Sequence, residues 1–185
     1  MSAPTSPQLV YNRQFGNPYA GQLGYAMPHD MIKTFLNKSG GTLGAGLGVV
    51  VTTANSDPAH EITLPSDNSH PLAGITVLDM ATDPNFIAGT ASTREGESVS
   101  CLLEGSIWVV TESVIAVNAQ VYVRYASGTG TTIGAFTGIG TDTNTCRLLK
   151  GARMLEASTG SAGTPGTGLL YFSAMDDYAQ IVGGE

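Results

Sequence analysis

Three histidines, two cysteines, a glycine-rich run and one adjacent pair of carboxylates are the residues of this 185-residue chain whose types could support chemistry. A zinc or hydrolytic metal centre needs ligands spaced to meet on one helix face or in one turn. His29, His60 and His70 sit in separate loops or loop edges, and His60-Glu61 has no second histidine at the helical distance of a zinc protease. Cys101 and Cys146 are too few and too far apart for a disulfide framework or a zinc site. A reducing compartment keeps both as thiols, with Cys101 a small core residue; a bridge between them would require their strands to be neighbours. Gly44, Gly46 and Gly48 are followed by no Lys-Ser/Thr pair, and they precede a β-branched run where a phosphate-binding turn would precede a helix. No serine occupies a GxSxG elbow, and Asp176-Asp177 falls in a solvated acidic stretch with no division into acid and base. These residues carry no catalytic, metal or cofactor site, and composition and periodicity alone do not say what the chain does.

Composition narrows the classes further. Charged residues are only 12% of the sequence while glycine supplies 24 positions and proline 9, which fits neither disorder nor long helices and suits strands punctuated by glycine. The length suits one domain with a real core. A net charge of −7, with the few cations scattered, repels phosphate backbones, so nucleic acid is not an expected partner. No apolar segment is long enough to span a bilayer, and the first residues lack the basic and apolar regions of a signal peptide, so the expectation is a protein that stays in the cytosol where it is made.

The scaffold is organised around Glu97 to Tyr125. Val99, Cys101 and Leu103 alternate with Ser98 and Ser100, Glu104-Gly105 reads as a two-residue break, and Ile107-Trp108-Val109-Val110 follows, so the pattern predicts a β-hairpin with Trp108 as a core anchor. In the run Gln120 to Tyr125, Val121, Val123 and Tyr125 share one face and Tyr122 and Arg124 the other.

Residues 1–27 contain Pro4, Pro7 and Pro18 and the aperiodic aromatics Tyr11, Phe15, Tyr19 and Tyr25, which reads either as a disordered leader or as an extended arm that buries its aromatics on another surface. Met31 to Leu36 fits a short helix or a strand. Further strands are expected at Val49–Val51, Ile62–Leu64, Leu72–Leu78, Ile133–Ile139, Cys146–Leu149, Ala152–Ala157 and Leu169–Phe172, with Ser158 to Thr167 as a surface loop. The fold class is all-β, a compact sandwich, jelly-roll or barrel-like domain over 28–175, with an extended N-terminal arm over 1–27 and an acidic tail over 176–185.

Several stretches carry a family resemblance. They are Ala20-Gly21-Gln22-Leu23-Gly24, Pro28-His29-Asp30-Met31-Ile32, Leu47-Gly48-Val49-Val50-Val51, Leu72-Ala73-Gly74-Ile75, Gly96-Glu97-Ser98-Val99 with Glu104-Gly105-Ser106-Ile107-Trp108-Val109, Gln120-Val121-Tyr122-Val123-Arg124, and Gly151-Ala152-Arg153. In their order and spacing from about residue 20 to about residue 173, the chain resembles the head cement or decoration proteins of tailed bacteriophages. The arm and the loops around Ala81 to Arg94 and Ser158 to Thr167 do not follow that pattern.

The resemblance implies an extended Met31 to Leu36 and a structural virion protein on the outside of an icosahedral capsid, assembled in the host cytoplasm. Its implied partners are the major capsid protein and neighbouring copies of itself, as a dimer or trimer on the lattice. Such a protein stabilises the shell by mass action and multivalency, without catalysis and without a cofactor. Tyr11, Phe15, Tyr19 and Tyr25 are then the expected capsid or inter-subunit contacts. Two other classes stay open: a β-sandwich receptor- or carbohydrate-binding module of a virion, marked by an exposed aromatic patch or a carboxylate cluster, and a jelly-roll enzyme, marked by clustering of His29, His60 and His70.

Overall fold

The structure, a computed structural model, describes residues 18–24, 30–52, 61–78, 92–128, 131–138, 145–161 and 163–176. Among them the chain is almost entirely β. In order the strands are β1 (Met31–Asn37), β2 (Leu43–Gly44), β3 (Gly48–Val51), β4 (Glu61–Thr63), β5 (Gly74–Thr76), β6 (Ser92–Thr93), β7 (Ser98–Thr111), β8 (Val121–Arg124), β9 (Phe136–Thr137), β10 (Cys146–Leu149), β11 (Ala152–Met154) and β12 (Gly166–Ser173). Met31 to Leu36 is extended, as the resemblance implies, because it pairs antiparallel with Ser98–Glu104 over its whole length.

Five strands close on themselves. The order β1-β4-β3-β5-β7 is completed by pairing of β7 back to β1, and closure removes open edges from the paired part of this ring. Strand side chains alternate between faces, so consecutive residues go to different cores. Val49 and Cys101 join Phe35, Ile62, Val99 and Leu43 in a small cluster inside the ring. Their neighbours Val50 and Leu102, with Ile75, turn outward into a larger core completed by Ile107, Val121, Phe136, Met154, Leu170 and Phe172. Burying side chains of this size contributes about 1.5–3 kcal/mol each before chain entropy is counted. Of the three architectures expected, the barrel-like one is present.

Strand β7 connects the two cores, and here the sequence expectation fails. Glu104-Gly105 is no hairpin turn; the chain runs straight through as one 14-residue strand. Leu103 is an extra residue opposite β1, where Met31 pairs with Glu104 and Ile32 with Leu102, so a β-bulge shifts the alternation. Gly105 follows in a left-handed conformation at φ 134°, and a Cβ there would land on the Asp30 carboxylate. After the shift, Ile107 and Val109 face the larger core. Trp108 therefore points the other way and is half-buried, so it is not the core anchor expected of the only tryptophan.

Elsewhere the periodicity holds. Val121 and Val123 are buried on β8 while Tyr122 and Arg124 are half-buried, Cys146–Leu149 is a strand, and the strand expected over Ala152–Ala157 ends at Met154. The expected strand at Ile133–Ile139 shrinks to Phe136–Thr137. The stretch from Ser158 to Thr167 is a loop only to Pro165, since β12 begins at Gly166, and Ser158 and Gly160 within it are buried.

Candidate interaction surface

The root of the N-terminal arm is part of the sheet. Gly21 donates its N–H to the Trp108 carbonyl at 2.6 Å, Trp108 donates to the Gln22 carbonyl at 2.8 Å, and Gly24 donates to the Ser106 carbonyl at 2.8 Å. Leu78 donates to the Gly21 carbonyl, which ties the same segment to the chain leaving β5. The contact is close enough to need two glycines. A Cβ on Gly21 would lie 2.6 Å from Ala45 Cβ, and one on Gly46 would lie 2.8 Å from Ala20 Cβ, with both residues at positive φ. This interlock is what the glycine-rich run provides at Gly46, in place of a phosphate cradle. Tyr19, just before the root, is 48% exposed. Tyr11, Phe15 and Tyr25 lie outside the described residues, as do His29, His60, Asp177 and most of Ala81 to Arg94.

The two ends of β7 present different surfaces. At its start, Asn37 is fully buried and closes the ring: its side-chain N–H groups donate to the Gly41 and Thr93 carbonyls, and its Oδ1 accepts from the Ser39 N–H. Around this polar knot stand the exposed charges Lys38, Arg94, Glu95 and Glu97. Nearby, His70 holds Asp67 at 2.9 Å beside a shallow recess that also takes in Lys38, Thr63 and Ser66. Hydrogen bonds from the Ser69 hydroxyl and backbone N–H, then from His70, hold the Asp67 carboxyl down at about 2.

At the other end of β7 exposed charges are sparser, with Arg153 and Glu156 beside the turn that follows. Glu112 is buried against Arg124, and its second oxygen accepts the Thr132 N–H, so the carboxylate is neutralised and fully bonded. Beyond it the sequence carries no charged residue from Ser113 to Val123, from Tyr125 to Thr141, or from Ala157 to Met175. These segments meet in space. The Ser158 hydroxyl accepts the Ile115 N–H at 2.8 Å and donates to the Ser113 carbonyl at 2.7 Å, while the Ser113 hydroxyl contacts Thr137 and accepts the Gly138 N–H. Ile115 is buried beneath, and its neighbours are pushed outward: Val114 is 68% exposed and Val117 50%. Sequence patterning misses this pair, because a charge-free run between two strands looks like interior; the signal is its length together with Asn118, whose φ of 61° marks a turn.

Chemistry is sparse. Cys101 and Cys146 are free and buried on strands that do not neighbour each other, so the bridge considered from sequence does not form. Burial pushes the Cys101 thiol up to about 12, which disfavours the nucleophilic thiolate. Among the described residues no group of three histidine, cysteine or carboxylate side chains is placed to hold a metal, and no helix is long and apolar enough to cross a membrane.

Comparison with known proteins decides what this scaffold is. The family model described as structural cement protein (E217 gp24/Pam3 gp6) matches residues 7–169. The chain belongs to this phage cement family. A chain from the solved capsid of Myoviridae phage XM1 shares the fold of this cement protein, with a TM-score of 0.60 at 16% identity over 87% of this chain and 93% of that one. No curated protein matches it. The cement protein is thus a capsid-stabilising structural component of the virion, built on an all-β barrel-like frame.

Proposed function

We propose that this cement protein binds the outer surface of an icosahedral phage shell and that its N-terminal arm supplies part of the contact. The carrying observation is the extent of the family match, which begins at residue 7 and so takes in Tyr11 and Phe15 as well as the β-domain. The partners are the major capsid protein and neighbouring copies, and the site of action is the capsid exterior after assembly in the host cytoplasm. No step of catalysis belongs to this role. Gly21 to Gly24 are bonded into the sheet, so recognition falls to the residues on either side of that root. Aromatic side chains at Tyr11, Phe15, Tyr19 and Tyr25 contact the shell or an adjacent copy, where large amphipathic rings give much contact area for little lost entropy.

Removing residues 1–18 tests this reading. The shortened protein keeps the far-UV circular dichroism and thermal midpoint of the full chain but co-sediments with cognate shells at much lower occupancy. Full occupancy by the shortened protein would remove the arm from the interface. A shortened protein that no longer folds would place the arm in the domain; replacing Tyr11 and Phe15 with serine in the full chain then measures their part in shell binding.

A further inference from the structure

We infer that the outer edge of β1 docks one extended strand of the coat protein, which joins this sheet by backbone hydrogen bonds beside Met31 to Thr34. The inference rests on the shell-binding reading and adds to it a second surface, on the β-domain, and the form its partner takes. Along most of its length β1 is paired on one side only: β7 runs beside it from Met31 to Leu36, whereas β4 reaches only Leu36 and Asn37. The backbone groups left over can be assigned. The Asn37 N–H donates to the Glu97 carbonyl at the start of β7, and the Lys38 N–H donates to the Ile62 carbonyl on β4. By the alternation of a strand, the N–H and C=O groups of Phe35 and Lys33 then turn to β7, and those of Thr34 and Ile32 turn away from it. Among the described residues no strand lies on that outer side. All four residues from Met31 to Thr34 are exposed, and two of them are large and apolar, Met31 at 53% and Ile32 at 46%.

Such an edge takes a polypeptide in extended form, because only a strand presents alternating N–H and C=O groups at the spacing of the ladder. Lys33 selects which strand. It lies between the two outward-turned residues, so two copies pairing edge to edge about a two-fold axis would exchange bonds between Ile32 and Thr34 and set Lys33 directly against Lys33. Like charges at that close position oppose pairing. The arm of a neighbouring copy fits no better, since Arg13 is the only charged residue in 1–27 and no carboxylate is there to meet Lys33. The coat protein, the other partner in the shell-binding reading, is the source of a strand with a carboxylate opposite Lys33. Pairing with the acidic stretch 176–185 of a second copy is an outcome that the test separates.

Co-sedimentation of the full chain with cognate shells, arm included, provides the test. Thr34→Pro removes one outward N–H and leaves the β7 side of the ladder intact, at a position where edge strands accept proline. Thr34→Ala removes the side chain and keeps the N–H. Thr34→Ala is expected to bind like wild type, and Thr34→Pro at least about tenfold more weakly, because a partner carbonyl is left unmet. Lys33→Glu should also bind more weakly, while all three variants keep the circular dichroism of wild type. Wild type that does not bind shells removes the shell-binding reading and this inference with it. Wild type that binds while Thr34→Pro or Lys33→Glu binds equally well overturns the inference alone, and so does a Thr34→Ala protein that is as weak as Thr34→Pro. Self-association of the free wild type that Thr34→Pro abolishes would hand the edge to a second copy and overturn it as well. Should Thr34→Pro misfold, amide hydrogen exchange of the wild type decides: slower exchange at Ile32 and Thr34 on shells supports strand addition, and unchanged exchange there overturns it.

Discussion

The two halves of β7 do different work with the same kind of backbone. Before the bulge at Leu103 the strand closes a five-stranded ring whose interior is small and whose rim is polar and charged. After it the strand lies on the larger core and runs out into a turn with two exposed valines. A single inserted residue at Leu103, followed by Gly105, makes the change of face possible. The lesson is that burial concentrates in the larger core, whereas exposed apolar side chains such as Tyr19, Val114 and Val117 stand before the arm root and in the turn beyond β7.

The sharpest way to test that difference is to empty the larger core. Phe172 is fully buried on β12, and Phe172→Ala should cost about 3–5 kcal/mol in denaturant-induced unfolding. Trp108→Ala, on the half-buried opposite face, should cost clearly less despite removing a larger ring; equal losses would mean that the bulge does not divide the faces as described. Next in size is the polar lock at the end of β7. Glu112→Ala strands Arg124, only 13% exposed, and should cost about 3 kcal/mol, measured in the same unfolding experiment. A neutral result would show that the end of β7 is held by its apolar neighbours alone. The smallest effect belongs to the charged end. Asp67 is held near 2, below its ordinary 3.8, so its folded form binds its proton less readily than the unfolded chain does. Its stabilisation is therefore complete above the ordinary carboxylate range and is lost as pH falls through about 2. With the side chain 45% exposed the contribution is slight, and the difference in thermal midpoint between wild type and Asp67→Asn should shrink between pH about 4 and about 2.

Much of this frame is legible in the sequence where local rules govern. The alternation at Val121 to Arg124 sets a strand buried on one face, and the β-branched run at Val49 to Val51 sets one whose Val49 and Val50 are buried in different cores; the structure keeps both. The failures are long-range. Glu104-Gly105 looks like a turn until β1 and β12 are seen to pair through it, and the fate of Trp108 follows from a bulge that no local pattern announces. Gly46 makes sense only against Gly21, from a segment that precedes the ring in the chain, and Val114 and Val117 are exposed only because Ile115 between them is drawn in. The family resemblance reached the function where spacing alone did not, since a cement protein works by surfaces and offers no reactive cluster for a motif to catch.

The most direct test of capsid stabilisation is the thermal disruption of cognate shells with and without the purified full-length protein. A ligand that binds only the assembled shell at about one hundred times its Kd adds about 2.7 kcal/mol per site, and many symmetry-related sites act together. Saturating protein is predicted to co-sediment with the shells and to raise their disruption temperature. Shells that bind the protein yet fall apart at an unchanged temperature, or that do not bind it at all, would contradict a cementing role.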